Sequence, residues 1–97
     1  MQYSYEITPR PSDLGGGWRL RLLEDGQEAG GGVFPMTSIE PIEGMTWWNA
    51  MPEKDRAYWL LKAASARPAD AYHAFLLAQA YDDAEAEGLE WVADREG

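Results

Sequence analysis

The chain has 97 residues, contains no cysteine, and carries 17 acidic residues against 8 lysines and arginines, which gives a net charge of -9 at pH 7. This length suits one domain, and the absence of thiols excludes a disulfide framework, a thiol nucleophile and a thiolate metal site. The negative charge repels nucleic acids and anionic lipids, so we expect neither direct nucleic-acid binding nor membrane binding.

The first third of the chain predicts an antiparallel sheet. In YSYEI, the residues Tyr3, Tyr5 and Ile7 alternate with polar residues, as in a half-buried strand. The following segment, GGGWRLRLLEDGQEAGGGVFP, places large apolar residues and arginines on alternate sides. Its Asp25-Gly26 pair is a strong signal for a two-residue hairpin turn. We therefore expect a sheet of three antiparallel strands within residues 1–36.

If Asp25 and Gly26 form the turn, large side chains of the second strand face small residues of the third. The expected pairs are Leu22 with Ala29, Leu20 with Gly31, and Trp18 with Val33. The glycines at positions 30–32 then leave room for neighbouring side chains or for a covering helix.

Residues 37–97 predict the helical part of the domain. A short helix is expected over 42–51 and an amphipathic helix over 52–65. The apolar stripe of the latter is expected at Ala57, Leu60, Leu61 and Ala64. Pro68 marks the start of a long helix that extends to about residue 94. The predicted fold over residues 1–97 is thus a single α+β domain, with a three-stranded antiparallel sheet followed by two or three helices, the last one long and acidic.

The sequence predicts no catalytic or metal site. His73 is the single histidine, and its apolar surroundings indicate a packed structural residue. The serines lie in no nucleophile-elbow sequence. The acids near the C-terminus lack the glycine turn and the terminal glutamate of an EF-hand loop. We therefore expect no enzyme activity, no metal and no cofactor.

Residues 82–97 hold seven acids and a single base, Arg95. On a helix with about 100° per residue, four of these acids fall in one narrow sector, here called the acidic row: Asp83, Glu87, Glu90 and Asp94. Another sector holds an apolar seam, formed by Leu77, Tyr81, Ala84, Gly88 and Trp91. The acidic row is either a solvated face or a surface for a cationic partner. Like charges at i, i+4 destabilise a helix, and few bases offset them here, which favours a role beyond stability.

The adjacent residues Trp47 and Trp48, in MTWWNAM, form a second candidate surface. On a helix their side chains point about 100° apart, so we expect one to pack inward and the other to be an exposed anchor. Tryptophan is enriched among the residues that dominate binding energy at protein interfaces. Both residues are therefore candidates for partner binding.

The segments GGGWRLRLLEDGQEAGGGVFP and WWNAMPEKDRAYWLLKAASARPADAYHAFLLAQAY together resemble small proteins encoded by bacteriophages and mobile elements of proteobacteria. Among such proteins are anti-CRISPR inhibitors of type I systems, and this chain is similar to members of that group. The resemblance covers nearly the whole chain and brings no catalytic residue with it. It implies an acidic inhibitor that occupies a basic DNA-binding surface of the surveillance complex.

On this basis we expect a non-enzymatic inhibitor that acts by partial DNA mimicry in the cytoplasm of a bacterial host cell. The expected partner-binding residues are Asp82, Asp83, Glu85, Glu87, Glu90, Asp94, Trp47 and Trp48. The alternative is a small phage structural or accessory protein that forms a homo-oligomer through the apolar seam. The start MQYSYEITPR has no basic segment followed by an apolar run, so no secretion signal is predicted.

Overall fold

The computed structural model describes residues 1–36 and 41–96 and contains one antiparallel sheet followed by three α-helices. The strands are β1 (Tyr3–Pro9), β2 (Trp18–Glu24) and β3 (Gln27–Phe34), which lie side by side in that order. The helices are α1 (Pro41–Ala50), α2 (Glu53–Ala63) and α3 (Pro68–Glu96). The predicted α+β class, with a long last helix, is confirmed. Residues 37–40 and Gly97, which we predicted to belong to the helical part, lie outside the described residues.

The hairpin of β2 and β3 turns at Asp25 and Gly26, as predicted. Both residues have positive φ angles, 52° and 83°, as a type I′ turn requires. Asp25 also holds the chain just before β1. Its Oδ1 accepts a hydrogen bond from the Gln2 N–H at 2.7 Å, and its own N–H donates to the Gln2 carbonyl at 2.8 Å. The turn therefore connects all three strands at this end of the sheet.

The pairing of β2 with β3 differs by one residue from the predicted register. The observed pairs are Leu22 with Gly30, Leu20 with Gly32, and Trp18 with Phe34. The predicted pairs are wrong because of a β-bulge next to the turn. Leu23 pairs with Glu28 while Leu22 already pairs with Gly30, so Ala29 is an extra residue in β3. Glycine nevertheless lies opposite Leu20 and Leu22, as the argument from side-chain volume required.

One face of the sheet carries a ladder of opposite charges across the three strands. Arg21 of β2 lies 3.2 Å from Glu6 of β1 and 3.9 Å from Glu28 of β3. Arg19 also pairs with Glu28, at 3.2 Å. These groups are partly exposed, so each pair contributes little to stability, about 0–1 kcal/mol. Their effect is to balance the charge of this face.

Contacts divide the chain into two compact units that share α3. The first unit combines Met1–Met36 with Gln79–Gly97, and the second comprises Thr37–Ala78. In the first unit, Leu20 of β2 is 1% exposed and Ala84 of α3 is fully buried. The second half of α3 thus belongs with the sheet. The single domain over residues 1–97 stays a prediction.

The second unit has an aromatic core. Four rings pack with centroid separations of 5.0 to 6.3 Å: Trp47, Trp59, Tyr72 and Phe75. The aliphatic stripe predicted for α2 is wrong, because Ala57 and Ala64 are exposed and Leu61 is 82% exposed. Only Leu60 of that stripe is half-buried. The side of α2 that carries Trp59 packs against the other rings instead, because a tryptophan side chain buries far more apolar area than alanine or leucine.

Candidate functional site

The second half of α3 packs on the sheet through the predicted apolar seam. Tyr81 meets Trp18 edge to face with ring centroids 5.0 Å apart. About two turns beyond the buried Ala84, Trp91 meets Tyr3 in the same way at 5.6 Å. The chain's own sheet therefore covers this part of the seam. The first predicted seam residue, Leu77, belongs to the second unit.

Gly88 permits the closest approach between the helix and the sheet. A Cβ at this position would lie 2.6 Å from Cγ of Tyr5 and 2.8 and 3.0 Å from its two Cδ atoms. These distances are well inside the normal carbon–carbon contact of about 3.5–4.0 Å. The Tyr5 ring thus packs directly on the helix backbone. Together with the two edge-to-face contacts, this packing fixes the rotation of the second half of the helix about its own axis, and so the directions in which the side chains of that half leave the backbone.

The acidic row points away from this seam. Its four members, Asp83, Glu87, Glu90 and Asp94, are all exposed. Within residues 1–36 and 41–96 none of them forms an ion pair with a lysine or arginine. Arg95, the only base close to them in sequence, lies over the Trp91 ring at 4.3 Å instead. The row is therefore a line of carboxylates without countercharges.

One member of the row also locates it relative to the sheet. A Cβ at Gly32 of β3 would lie 3.9 Å from Oε2 of Glu87. Glu87 thus lies on the side of α3 that is next to β3, and the other members of the row leave the helix within about 60° of the same direction. Since β3 is the last strand of the sheet, the row lies beside an outer edge of the first unit.

The two other acids predicted for partner binding do not belong to the row. Asp82 is exposed, but it lies about 100° around the helix from Asp83. Glu85 is half-buried on the side of Tyr5. Burial in the layer between sheet and helix raises the pKa of the Tyr5 phenol, and the nearby charge of Glu85 raises it further. The structure therefore separates the six predicted acids into a row of four and two acids at other positions.

Trp47 and Trp48 are both half-buried, with different surroundings. Trp47 lies in the aromatic core, 5.0 Å from Phe75 between ring centroids. Trp48 has the guanidinium of Arg56 over its ring at 5.4 Å, and the Arg56 Nε–H donates to the Trp48 carbonyl at 2.9 Å. Trp47 is thus the packed member of the pair, and Trp48 is the candidate anchor.

Comparison with known proteins finds no family model, no curated protein and no solved structure that matches this chain. The arrangement of the site is therefore interpreted from the chain's own residues. The similarity to anti-CRISPR inhibitors of type I systems stays a prediction, and so does the partner.

Sequence reasoning missed a cavity in the second unit, which Trp48 lines. Its volume is about 320 Å³, and it lies between α1 and the first turns of α3. Six residues of its wall are Gly44, Met45, Trp48, Pro68, Ala69 and Tyr72. The spacing of Met45 and Trp48 places them on one side of α1, but the approach of α3 depends on packing between distant segments. No local pattern in the sequence could have indicated it.

The prediction that His73 is a packed structural residue is wrong, because this residue is exposed. Ala71 and Tyr72 are the buried residues of this turn and take the inward side. The described part of the chain holds no group of three or more histidine, aspartate or glutamate residues that could bind a metal ion. None of the helices in residues 41–96 has the length and apolar character needed to cross a membrane.

Proposed function

We propose that this chain is a non-enzymatic inhibitor that binds a basic, nucleic-acid-binding surface of another protein by partial DNA mimicry. On the resemblance given above, we propose the type I CRISPR surveillance complex as the target. The observation that supports the proposal is the acidic row, four exposed carboxylates without countercharges. The seam contacts hold the helix backbone that carries these carboxylates, so no backbone entropy need be lost when a partner binds them.

The spacing of the row suits a surface that binds phosphates. Its members follow one another at intervals of three or four residues, about 4.5–6 Å along the helix axis. A nucleic-acid strand presents a phosphate about every 3.4 Å of axis. These spacings are of the same order, so lysines and arginines arranged to grip a DNA backbone can meet several carboxylates of the row at once. Release of counterions from both surfaces then favours association and makes it dependent on salt.

A merely solvated face is the competing explanation. The pairs Asp83–Glu87 and Glu90–Asp94 place like charges at i, i+4, and each pair costs the helix about 0.2–0.5 kcal/mol. A mixture of acids and bases would keep the surface soluble without that cost. An oligomer formed through the apolar seam is disfavoured by packing, since the sheet already covers the seam from Tyr81 to Trp91.

The acidic row can be tested by neutralising its four members together, as Asp83→Asn, Glu87→Gln, Glu90→Gln and Asp94→Asn. These side chains are exposed and make no contact that holds the fold, so the variant should keep its circular dichroism spectrum, and the loss of the like-charge pairs should raise its unfolding midpoint by a few degrees. Its affinity for a purified type I surveillance complex should fall by about a hundredfold, equivalent to about 3 kcal/mol. The slope of log Kd against log salt should also become shallower.

The matched control removes the same number of charges elsewhere. Asp13, Glu43, Glu53 and Glu96 are exposed and lie outside the row. Their neutralisation should change the affinity by no more than about threefold, because only long-range attraction is reduced. A folded row variant that binds the complex as tightly as the unmodified chain would refute the proposed function.

A further inference from the structure

β3 is an edge strand whose outer side is open. The sheet order β1-β2-β3 gives β3 a single neighbouring strand among the residues that the structure describes. The strand has eight residues, Gln27–Phe34, of which the first five are exposed, and Val33 is 52% exposed. Its backbone N–H and C=O groups on the outer side are therefore available to another chain.

Natural edge strands are commonly protected by charged side chains, by proline or by a covering segment. From Ala29 to Phe34, β3 contains three glycines and no charged residue or proline. The bulge at Ala29 lies at the end next to the turn, and beyond it the pairing with β2 continues without a further shift to Phe34, although Gly31 has a positive φ of 154°. The remaining residues leave a stretch of about 15 Å, at about 3.3 Å per residue, without any such protection.

We propose that this edge binds an extended, basic segment of the partner, which adds to the sheet as a strand next to β3. This inference rests on the proposed function and names the part of the partner that the acidic row recognises. Strand addition is a common form of peptide recognition, in which backbone hydrogen bonds supply affinity and alternate side chains supply specificity.

The charge of the partner segment follows from the position of the acidic row. Gly32 lies on the face of the sheet that α3 covers, and Glu87 is beside it. An added strand lies about 4.8 Å beyond β3. A lysine or arginine on the helix-facing side of that strand is long enough to reach Glu87 and its neighbours in the row.

The other side chains of the added strand meet the opposite face of the sheet. There β3 presents Val33, which pairs with Arg19, and Gly31, which pairs with Arg21. The two arginines are already paired with Glu6 and Glu28. Uncharged side chains fit this face. The recognised segment should therefore carry basic residues at every second position, with uncharged residues between them.

A second copy of this chain is disfavoured as the occupant of the edge. Each chain carries a net charge of -9, and pairing of two β3 edges would bring the two acidic rows towards each other. Charge complementarity thus selects a basic segment of another protein.

The probe for this inference is a synthetic peptide of alternating lysine and valine, titrated into the full-length chain and followed through its backbone amide signals by NMR. Two further peptides have the same charge and carry methyl groups on backbone nitrogens. One is methylated at all the lysines, and the other at all the valines. Alternate residues of a strand direct their N–H groups to opposite sides, so only one of the two methylated peptides loses the hydrogen bonds to β3. We expect that peptide to bind about tenfold more weakly than the other.

Two substitutions measure how much the charge of the acidic row contributes to peptide binding, apart from the backbone hydrogen bonds. Glu87→Gln should weaken binding of the alternating peptide by about threefold to tenfold, because it removes the row carboxylate nearest to β3. Asp82→Asn removes one charge from another side of α3 and should have a smaller effect. The largest shifts on binding should occur at the amides of β3, which should also become protected from hydrogen exchange.

Equal binding by the two methylated peptides, shifts confined to α3, or no binding at all would overturn strand addition. Self-association of the chain through β3, seen as a dimer by light scattering with the same amides protected, would overturn it as well. These outcomes would not contradict the proposed function, because that function is tested by the binding of the four-residue row variant to the surveillance complex. Loss of the proposed function is recognised separately, by undiminished binding of that variant to the complex.

Discussion

Replacement of Gly88 by alanine tests the packing that directs the acidic row. Alanine in place of a mid-helix glycine normally stabilises a helix by about 0.8–1 kcal/mol. Here the new methyl group would lie 2.6 Å from Cγ of Tyr5, which is about 1 Å closer than normal contact. The ring or the helix must move, and overpacking of this kind costs about 1–3 kcal/mol. Because three ring carbons are involved, we expect the upper part of that range and a net loss of about 1–2 kcal/mol.

The free energy of unfolding is best measured by urea denaturation, with circular dichroism as the signal. A net loss of this size lowers the thermal midpoint by about 4–8 °C for each kcal/mol in a domain of this length. The control is the same substitution in a Tyr5→Ala background, where the methyl group meets no ring and should stabilise the protein by up to about 1 kcal/mol. If Gly88→Ala stabilises the unmodified chain, or if its effect has the same sign in both backgrounds, the Tyr5 ring does not rest on the helix backbone.

Three further predictions concern other parts of the fold, and urea denaturation measures each of them. The raised pKa of Tyr5 means that the folded state prefers the neutral phenol. This preference contributes fully to the free energy of unfolding below about pH 10, and the contribution is lost as the pH rises through the pKa of the folded state. Tyr5→Phe should therefore lose less stability at alkaline pH than the unmodified chain. Gly26→Ala should cost about 1 kcal/mol from its positive φ alone, because no atom lies within 4 Å of the added Cβ, and Gly26→Asn should cost less. Trp47→Ala should cost about 3–5 kcal/mol, whereas Leu61→Ala should change stability by less than about 0.5 kcal/mol, and equal losses at the two positions would contradict the aromatic core.

Local signals in the sequence predicted the elements of the fold well. Asp25 and Gly26 determine the hairpin turn through their own backbone preferences, so the turn could be predicted without any knowledge of packing. The register beyond the turn could not, since the bulge at Ala29 adds a residue to β3 that the turn residues do not indicate. One extra residue was enough to move every predicted pair.

The buried side of α2 shows the limit of helical periodicity. Leu61 occupies a correct position in an apolar stripe, yet it is 82% exposed, because the rings of Trp47 and Phe75 form the core with Trp59. The predicted burial of His73 is wrong for the same reason, because the ring of its neighbour Tyr72 occupies the buried side of α3. A stripe of small or aliphatic residues predicts an apolar face, but the largest rings decide which face is buried.

The candidate site was predictable in part. Helix geometry alone groups the four acids of the row and separates them from the seam. In the structure the seam residues Tyr81 and Trp91 contact the sheet, and the four acids are exposed. Geometry could not show that Glu85 lies close to Tyr5, nor that the row runs beside β3, because both depend on which strand the helix covers. The sequence likewise could not show that β3 is the edge strand, because strand order in a sheet depends on pairing between distant segments.

The division of α3 between two units has a consequence for the order in which the protein forms. Tyr3 and its partner Trp91 lie near opposite ends of the described chain, whereas the second unit is built from one continuous stretch, Thr37–Ala78. Joining distant segments costs more chain entropy than joining near ones, so we expect the second unit to form first and the early turns of α3 to guide the later ones onto the sheet. During synthesis on the ribosome, the carboxylates of the row would then reach their final directions only after the chain has been made as far as Trp91. The surface proposed to bind the partner thus forms later than the second unit.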